Sequence, residues 1–381
     1  MSNNNEKEKD IDTKDSRFGA YEREMERREQ KQAKEKRKKK KIILKVILVI
    51  LITLLVIVLA AGAAAWAFIN GKLGQLKTET IDINNIGISD EVREELQDYR
   101  NIALLGIDSR ADDYGTGNRS DCIIIASLNQ KTGNIKLISV YRDTYVYVME
   151  NGTKRLDKIT HAYSYGKAEN ALKSLNEALD LNIKEYVTVN FDAVVAAVDA
   201  LGGVTIDIDS SELNYINDYI DATSQSSGIK SKHISKAGRQ TVDGVQAVAY
   251  SRIRYTSGGD YKRTERMRTV VEAMMKKAKT LSIGQLNSFA NTILPRISTN
   301  ITSGDILGLI PSLASMSVDE SIGWPYETKG ITLDRWYGIP VTLESNVKKL
   351  HQEAFEQTDY EPSETVKEMS NAIIKKTGYT E

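Results

Sequence analysis

The longest uninterrupted apolar stretch in the chain is VILVILITLLVIVLAAGAAAWAFI, residues 46–69, 24 positions without a charge. As a helix it would extend roughly 36 Å, enough to cross a hydrocarbon core of about 30 Å, which predicts one membrane span. A cleaved signal peptide has a shorter apolar core, about 7 to 15 residues, near the N-terminus; here 45 mostly polar residues come first. Beyond residue 100 the pattern changes to short β-rich runs, NIALLGI (101–107), CIIIASL (122–128) and IKLISVY (135–141). The turn-like NQKTGN joining the last two predicts a β-meander. Apolar positions recur at helical spacing over Ala168–Leu179, Phe191–Leu201 and Arg263–Thr280, with VTVN (187–190) and VTIDI (204–208) as strands among them. Gly202-Gly203 then reads as a C-cap and turn. The alternation predicts a mixed α/β domain over 101–355, of ordinary single-domain size, after a polar stem at 70–100 and before a C-terminal tail at 356–381.

Charge sets the orientation. Lys and Arg together number 52, as do Asp and Glu, but residues 1–45 hold 16 of the former and 10 of the latter, leaving a basic tail and a mildly acidic remainder. Lys34 to Lys41 reads KEKRKKKK, seven positive charges beside the apolar run, whereas its other flank offers only Lys72 and Lys77. The positive-inside rule puts 1–45 in the cytoplasm and everything after Asn70 outside the cell membrane. As a topology signal the basic run is accounted for, and no nucleic-acid partner is expected. The rival, a membrane-tethered transcriptional regulator, lacks a helix-turn-helix or aromatic-rich core in this tail. With 41% hydrophobic residues and five prolines the chain can bury a core, which excludes wholesale disorder. A single cysteine, Cys122, excludes an intramolecular disulfide framework and multi-cysteine zinc sites.

The chemistry is narrowed by what is missing. His161, His233 and His351 form no HExxH or HxxxH set, and neither a GxSxG elbow nor a Walker loop occurs. Arginines and aspartates at element ends remain. Asp108 follows the first β-run and Asp121 precedes the second, so antiparallel pairing brings both carboxylates to one sheet edge. The third run ends at the same edge and delivers Arg142-Asp143 there, with Arg110 and Arg119 flanking. Paired hard oxygen ligands without His or Cys suit Mg²⁺ or Mn²⁺, ions that commonly share their sphere with substrate phosphates. Farther on, YSRIRYTSGGDYKRTERMR supplies Arg252 and Arg254, then Arg263 and Arg266 on one face near a helix start. Guanidinium forks bind phosphate oxygens bidentately, and a helix N-terminus adds donors and a favourable dipole. For each arginine a solvated surface charge is the plain alternative, and for the two aspartates strand-end capping.

The segments LLGIDSR (104–110), RSDCIII (119–125), SVYRDTYV (139–146), KITHAYSYG (158–166), VNFDAVVAAVDALGGVTIDI (189–208), VDGVQAVAYSRIR (242–254) and GDYKRTERMR (259–268) resemble, in order, the motifs of the LytR-CpsA-Psr family. The resemblance implies an α/β domain with a central mixed β-sheet flanked by helices and a hydrophobic tunnel for a lipid, preceded here by one transmembrane helix. It implies a phosphotransferase of Gram-positive envelopes that moves a glycopolymer phosphate, of teichoic acid or capsular type, from a polyprenyl-pyrophosphate carrier to peptidoglycan. By motif, Asp108 and Asp121 would hold Mg²⁺, while Arg142, Arg252, Arg254 and Arg263 would bind the pyrophosphate with Asp260 beside them. Asp143 and Asp260 both stand as the base for the acceptor hydroxyl. Cys122, Asn118 and Tyr141 depart from the family pattern, and Met267 replaces a frequent Gln and cannot donate its hydrogen bond. Phe191, Val194, Val195 and Val198 suit either a lipid tunnel or an ordinary core. A glycolipid-binding protein and a pyrophosphate hydrolase are the alternative functions.

Overall fold

The computed structural model describes residues 77–107, 109, 113–302, 305, 316–319 and 321–380. The basic segment, the apolar run 46–69, Asp108 and Arg110 lie outside the described residues, and among these no helix is long and apolar enough to cross a membrane.

The three β-rich runs form the centre of the main sheet. With β1 at Lys77–Thr78, they are β2 (Tyr99–Ile107), β3 (Ser120–Asn129) and β4 (Asn134–Val140), paired antiparallel in sequence as the meander predicts. Next come the hairpin β5 (Tyr145–Glu150) and β6 (Thr153–Lys158), then β7 (Glu185–Val189), which lies parallel to β2. A second small hairpin pairs β8 (Val204–Ile208) with β9 (Gly238–Val242). Short strands β10 (Ser298–Thr299), β11 (Ser317–Val318) and β12 (Ile322–Trp324) extend the main sheet at its two sides, and β13 (Thr328–Thr332) and β14 (Trp336–Pro340) make a third hairpin. Parallel and antiparallel pairs are mixed, as expected. β3 is buried at every residue but its last and β2 at all but its first two. Such continuous burial follows when helices cover both faces, and it explains why these runs read as uninterrupted apolar sequence.

The helices are α1 (Asp90–Glu95), α2 (Thr160–Leu179), α3 (Phe191–Ala200), α4 (Ser210–Ser227), α5 (Gly244–Arg252), α6 (Gly259–Ala278), α7 (Ile283–Ile293), α8 (Leu343–Phe355) and α9 (Glu364–Thr377). α2 begins well before Ala168 but is broken at Gly166 (φ −156°) and Lys167 (φ 54°), so the spacing found only its second half. The Phe191–Val198 stripe is buried: Val194, Val195 and Val198 are fully enclosed, and α5 approaches so closely that a side chain at Gly244 would lie 2.2 Å from the Val195 carbonyl oxygen.

Two segment boundaries need correction. The described part of the expected stem belongs to the domain: β1 pairs with β10, and Ile86, Val92 and Leu96 are buried. The expected tail carries α9, whose Val366, Met369 and Ile373 are buried. Asp180, itself buried, accepts from Tyr360 Oη at 2.9 Å, Ser363 N at 2.7 Å and Ser363 Oγ at 2.6 Å, and so ties this segment down. A short helix buries only three or four apolar side chains along one stripe, which leaves its sequence polar on average.

Candidate functional site

The register of β2 against β3 creates the site. From Tyr99 opposite Asn129 to Gly106 opposite Cys122 the pairing is regular, then Ile107 pairs with Ser120 and leaves Asp121 as an extra residue. A bulge of this kind re-aims a side chain. The Asp121 carboxylate, almost wholly buried, meets the end of β4: its Oδ2 lies 2.8 Å from Arg142 Nη1. Arg142 Nε in turn lies 3.2 Å from Asp260 Oδ2 and 3.5 Å from Asp143 Oδ2. Burial works against the charge of Arg142, but Asp121, Asp260 and Asp143 outweigh it and raise its pKa above the ordinary guanidinium value.

Asp260 gathers the second group. It sits in the first turn of α6, whose N-cap Gly258 (φ 91°) and first residue Gly259 (φ 49°) take backbone angles that side chains disfavour. Arg263 Nη2 donates to Asp260 Oδ2 at 2.9 Å, and Arg254 Nε faces Asp260 Oδ1 at 3.2 Å without the alignment of a hydrogen bond. Arg254 Nε and Nη2 and Arg263 Nε and Nη1 are buried and have no hydrogen-bond partner among the described residues. Burial pulls the Arg254 pKa below its ordinary value, with Asp260 opposing. A guanidinium stays charged even so. Four buried donors without acceptors are costly in isolation and suited to an oxyanion that supplies the missing acceptors.

Other predicted residues fall elsewhere. Arg252 is buried, donating from Nη1 to Thr223 Oγ1 at 2.6 Å, with its guanidinium carbon 5.3 Å from the Phe191 ring centroid and 5.6 Å from that of Tyr219. Arg266, expected as a phosphate ligand, is not brought to the cluster. Its Nε donates to Glu212 Oε1 at 2.6 Å, Nη1 to the Ile253 carbonyl at 2.9 Å and Nη2 to Thr256 Oγ1 at 2.5 Å, and it is 2% exposed. It therefore clamps the loop that carries Arg254. The i, i+3 spacing with Arg263 is met in α6, but Glu212 on α4 captures one of the two. Arg119 is half-buried and makes no side-chain hydrogen bond or ion pair with another described residue. Met267 is buried in the core, where its lack of a donor costs nothing.

Lys158 and Thr160, to which the sequence reading assigned no role, also reach the site. Lys158 Nζ lies 2.6 Å from Asp143 Oδ1, and the Thr160 hydroxyl donates to the Ser120 carbonyl at 3.0 Å and sits 3.4 Å from Asp121 Oδ1. Both fall in KITHAYSYG, whose position at the end of β6 was the available signal. Arg142 pairs with Asp121 through Oδ2, whereas Oδ1 meets the Thr160 hydroxyl at 3.4 Å, and this buried hard oxygen is the atom a cation such as Mg²⁺ would use. Among the described residues no group of three or more His, Cys, Asp or Glu could hold a metal ion, and Asp108 lies outside them.

The chain is 31% identical to the polyisoprenyl-teichoic acid–peptidoglycan teichoic acid transferase TagT of Bacillus subtilis (strain 168) over 62% of its own length and 71% of that protein. Among solved structures it resembles a Streptococcus agalactiae protein (TM-score 0.56, 25% identity, covering 72% of this chain and 92% of that one). It also resembles a structure of TagT bound to LIIa-WTA (TM-score 0.51, 25% identity, covering 74% and 92%). The LytR_cpsA_psr family model matches residues 66–350, which takes in every site residue named above. With well over half of its length matched by that model, the chain belongs to the LytR_cpsA_psr family.

Proposed function

We propose that this protein transfers a phosphoglycopolymer of the teichoic acid type from a polyprenyl-pyrophosphate carrier to peptidoglycan. The observation that carries the reading is the set of four acceptor-less guanidinium nitrogens on Arg254 and Arg263, held by Asp260 beside Arg142 and Asp121. Pyrophosphate oxygens would complete these donors. The naming of relatives such as TagT as teichoic acid transferases supports the substrate class.

In this reading Arg142, Arg254 and Arg263 bind and orient the pyrophosphate, and Arg266 positions Arg254 by fixing its loop. Asp121, with Asp108, would hold Mg²⁺, which when bound neutralises developing phosphate charge. Asp260 has three guanidinium groups on its two oxygens, which leaves little room to accept a proton. Asp143, paired by Lys158 through Oδ1 and only loosely by Arg142 through Oδ2, is the better-placed base for the acceptor hydroxyl. The apolar run 46–69 would anchor the domain on the outer side of the cell membrane, within reach of a lipid-linked donor.

The test is incubation of the full chain, in detergent, with labelled lipid-linked teichoic acid, with and without peptidoglycan. Label covalently attached to peptidoglycan is the expected product. Release of free glycopolymer phosphate irrespective of acceptor would replace the transferase with a hydrolase, and binding without turnover would leave a glycolipid-binding protein.

A further inference from the structure

The β13–β14 hairpin is fastened to the loop that carries Arg142 and Asp143. Gly338 N donates to the Asp143 carbonyl at 3.0 Å, and Thr144 forms a parallel bridge with Gly338. Across the hairpin Gly338 pairs with Gly330, and the indole of Trp336 lies over this glycine pair: a side chain at Gly330 would come 2.9 Å from Trp336 Nε1, and one at Gly338 3.6 Å from its Cη2. Any larger residue at 330 would push the indole away. Tyr337 and Ile339 are buried, whereas Trp336 is 43% exposed. If the indole served only to cover the glycines, nothing would require it to face a site.

It does face one. Trp336 borders a narrow cleft together with Asp143, Asp260, Tyr261 and Thr328. Tyr261 is 38% exposed and held edge-on to Tyr141, ring centroids 4.5 Å apart. Lys158 Nζ, which grips Asp143 Oδ1, is 5.9 Å from the Trp336 ring centroid. An exposed aromatic plane thus adjoins a carboxylate, an ammonium group and two hydroxyl-bearing residues. A pyranose has matching chemistry, with one face of C–H groups that suits an aromatic plane and a rim of hydroxyls that suits charged and hydroxyl partners.

We propose that the Trp336 face is the subsite for the acceptor saccharide, stacking a sugar ring so that its hydroxyl is presented to Asp143. This rests on the transferase reading and adds the residue that selects the acceptor. In the step it serves, the hydroxyl oxygen forms a bond to the glycopolymer-side phosphorus while the bond from that phosphorus to the bridging oxygen breaks. Polyprenyl phosphate leaves, and the hydroxyl proton passes to Asp143 and then to solvent.

Two measurements on the full chain in detergent test it. The first is acrylamide quenching of tryptophan fluorescence with and without soluble peptidoglycan glycan fragments. Of the chain's three tryptophans, Trp324 is fully buried and Trp66 is common to both chains, so the protection expected is the part of the quenchable signal that disappears in Trp336→Phe. The second is the acceptor KM: Trp336→Ala should raise it about tenfold or more, as loss of one stacking contact and its buried area implies, while Trp336→Phe restores most of it and the donor KM stays unchanged. Absence of protection in the wild-type chain would overturn the proposal, as would an unchanged acceptor KM or an equal rise in donor KM in a folded Trp336→Ala. A wild-type chain that transfers to no acceptor would instead sink the transferase reading, and the quenching measurement would still judge the subsite.

Discussion

Replacing Arg263 with Met should separate binding from stability. Arg263 is 1% exposed, donates one hydrogen bond to Asp260 and has two buried nitrogens without partners. Each buried donor without an acceptor costs on the order of 1–3 kcal/mol. The ion pair to a one-third exposed Asp260 returns about 1 kcal/mol or less, and Asp260 keeps Arg142 and Arg254 after the change. Apolar replacement of buried ionic groups by residues of similar volume is often neutral or stabilising provided no buried charge is left unpaired, a condition that Arg142 and Arg254 meet for Asp260. We therefore expect Arg263→Met to gain about 1–3 kcal/mol, a rise in melting temperature of roughly 2 °C or more per kcal/mol. The ligand effect should run the other way. A short-chain isoprenyl pyrophosphate at about 100 times its Kd should stabilise the wild-type chain by about 2.7 kcal/mol, and the Met variant by far less at the same concentration. Thermal unfolding of both chains with and without ligand reads all four states. A melting temperature below wild type would refute the claim that Arg263 is held at a cost, and an undiminished ligand shift would refute its role in binding.

The other arginines should behave differently: Arg142→Lys keeps the charge but loses the planar fork at the cluster, so transfer rates should fall substantially, and unchanged rates would assign Arg142 to the scaffold, whereas Arg252→Lys, packed on Thr223, Phe191 and Tyr219, should lower the melting temperature more than it lowers transfer by the folded chain. If Asp108 and Asp121 share one cation, Asp108→Asn, Asp121→Asn and the double variant should lose activity to a similar extent, and EDTA should match them; full activity after chelation in a folded sample would remove the metal from the reaction. Asp157 gives a pH prediction: burial opposes its charge, but His161, the Lys158 amide and Tyr165 outweigh burial and bring its pKa down to about 2. A depressed carboxylate pKa stabilises the fold above the unfolded value of about 4 and ceases to do so as pH falls through about 2, so about 2 kcal/mol should vanish over that interval in urea unfolding, and Asp157→Asn should flatten the profile there. Deletion of 356–381 removes the buried Val366, Met369 and Ile373, each worth about 1.5–3 kcal/mol, and strands Asp180, so the truncated chain should unfold at markedly lower urea; unaltered stability would show that α9 is dispensable.

The sequence by itself determined the central elements and the chemical type of the site. β2, β3 and β4 were legible because full burial on both faces demands continuous β-branched and aliphatic residues, and α3 and the second half of α2 because a 3.6-residue apolar stripe has no competing explanation. The meander's turn then brought Asp121 and Arg142 to one edge. Tertiary structure alone decided which arginines keep unpartnered donors. Arg263 and Arg266 are indistinguishable by spacing, and only the approach of Glu212 from α4 assigns Arg266 to a loop clamp. Asp260 likewise looked like a base until three guanidinium groups arrived from the segment after β4, the 253–258 loop and its own helix. Short elements were illegible for a related reason. A two-residue strand such as β1 and a lone amphipathic helix such as α9 carry too few apolar positions to signal burial, because the surface they are buried against comes from distant segments of the chain. Trp336 shows the same limit: its indole is set by two glycines across a hairpin and by a loop nearly two hundred residues earlier, and pairing over such separations leaves no local pattern to read.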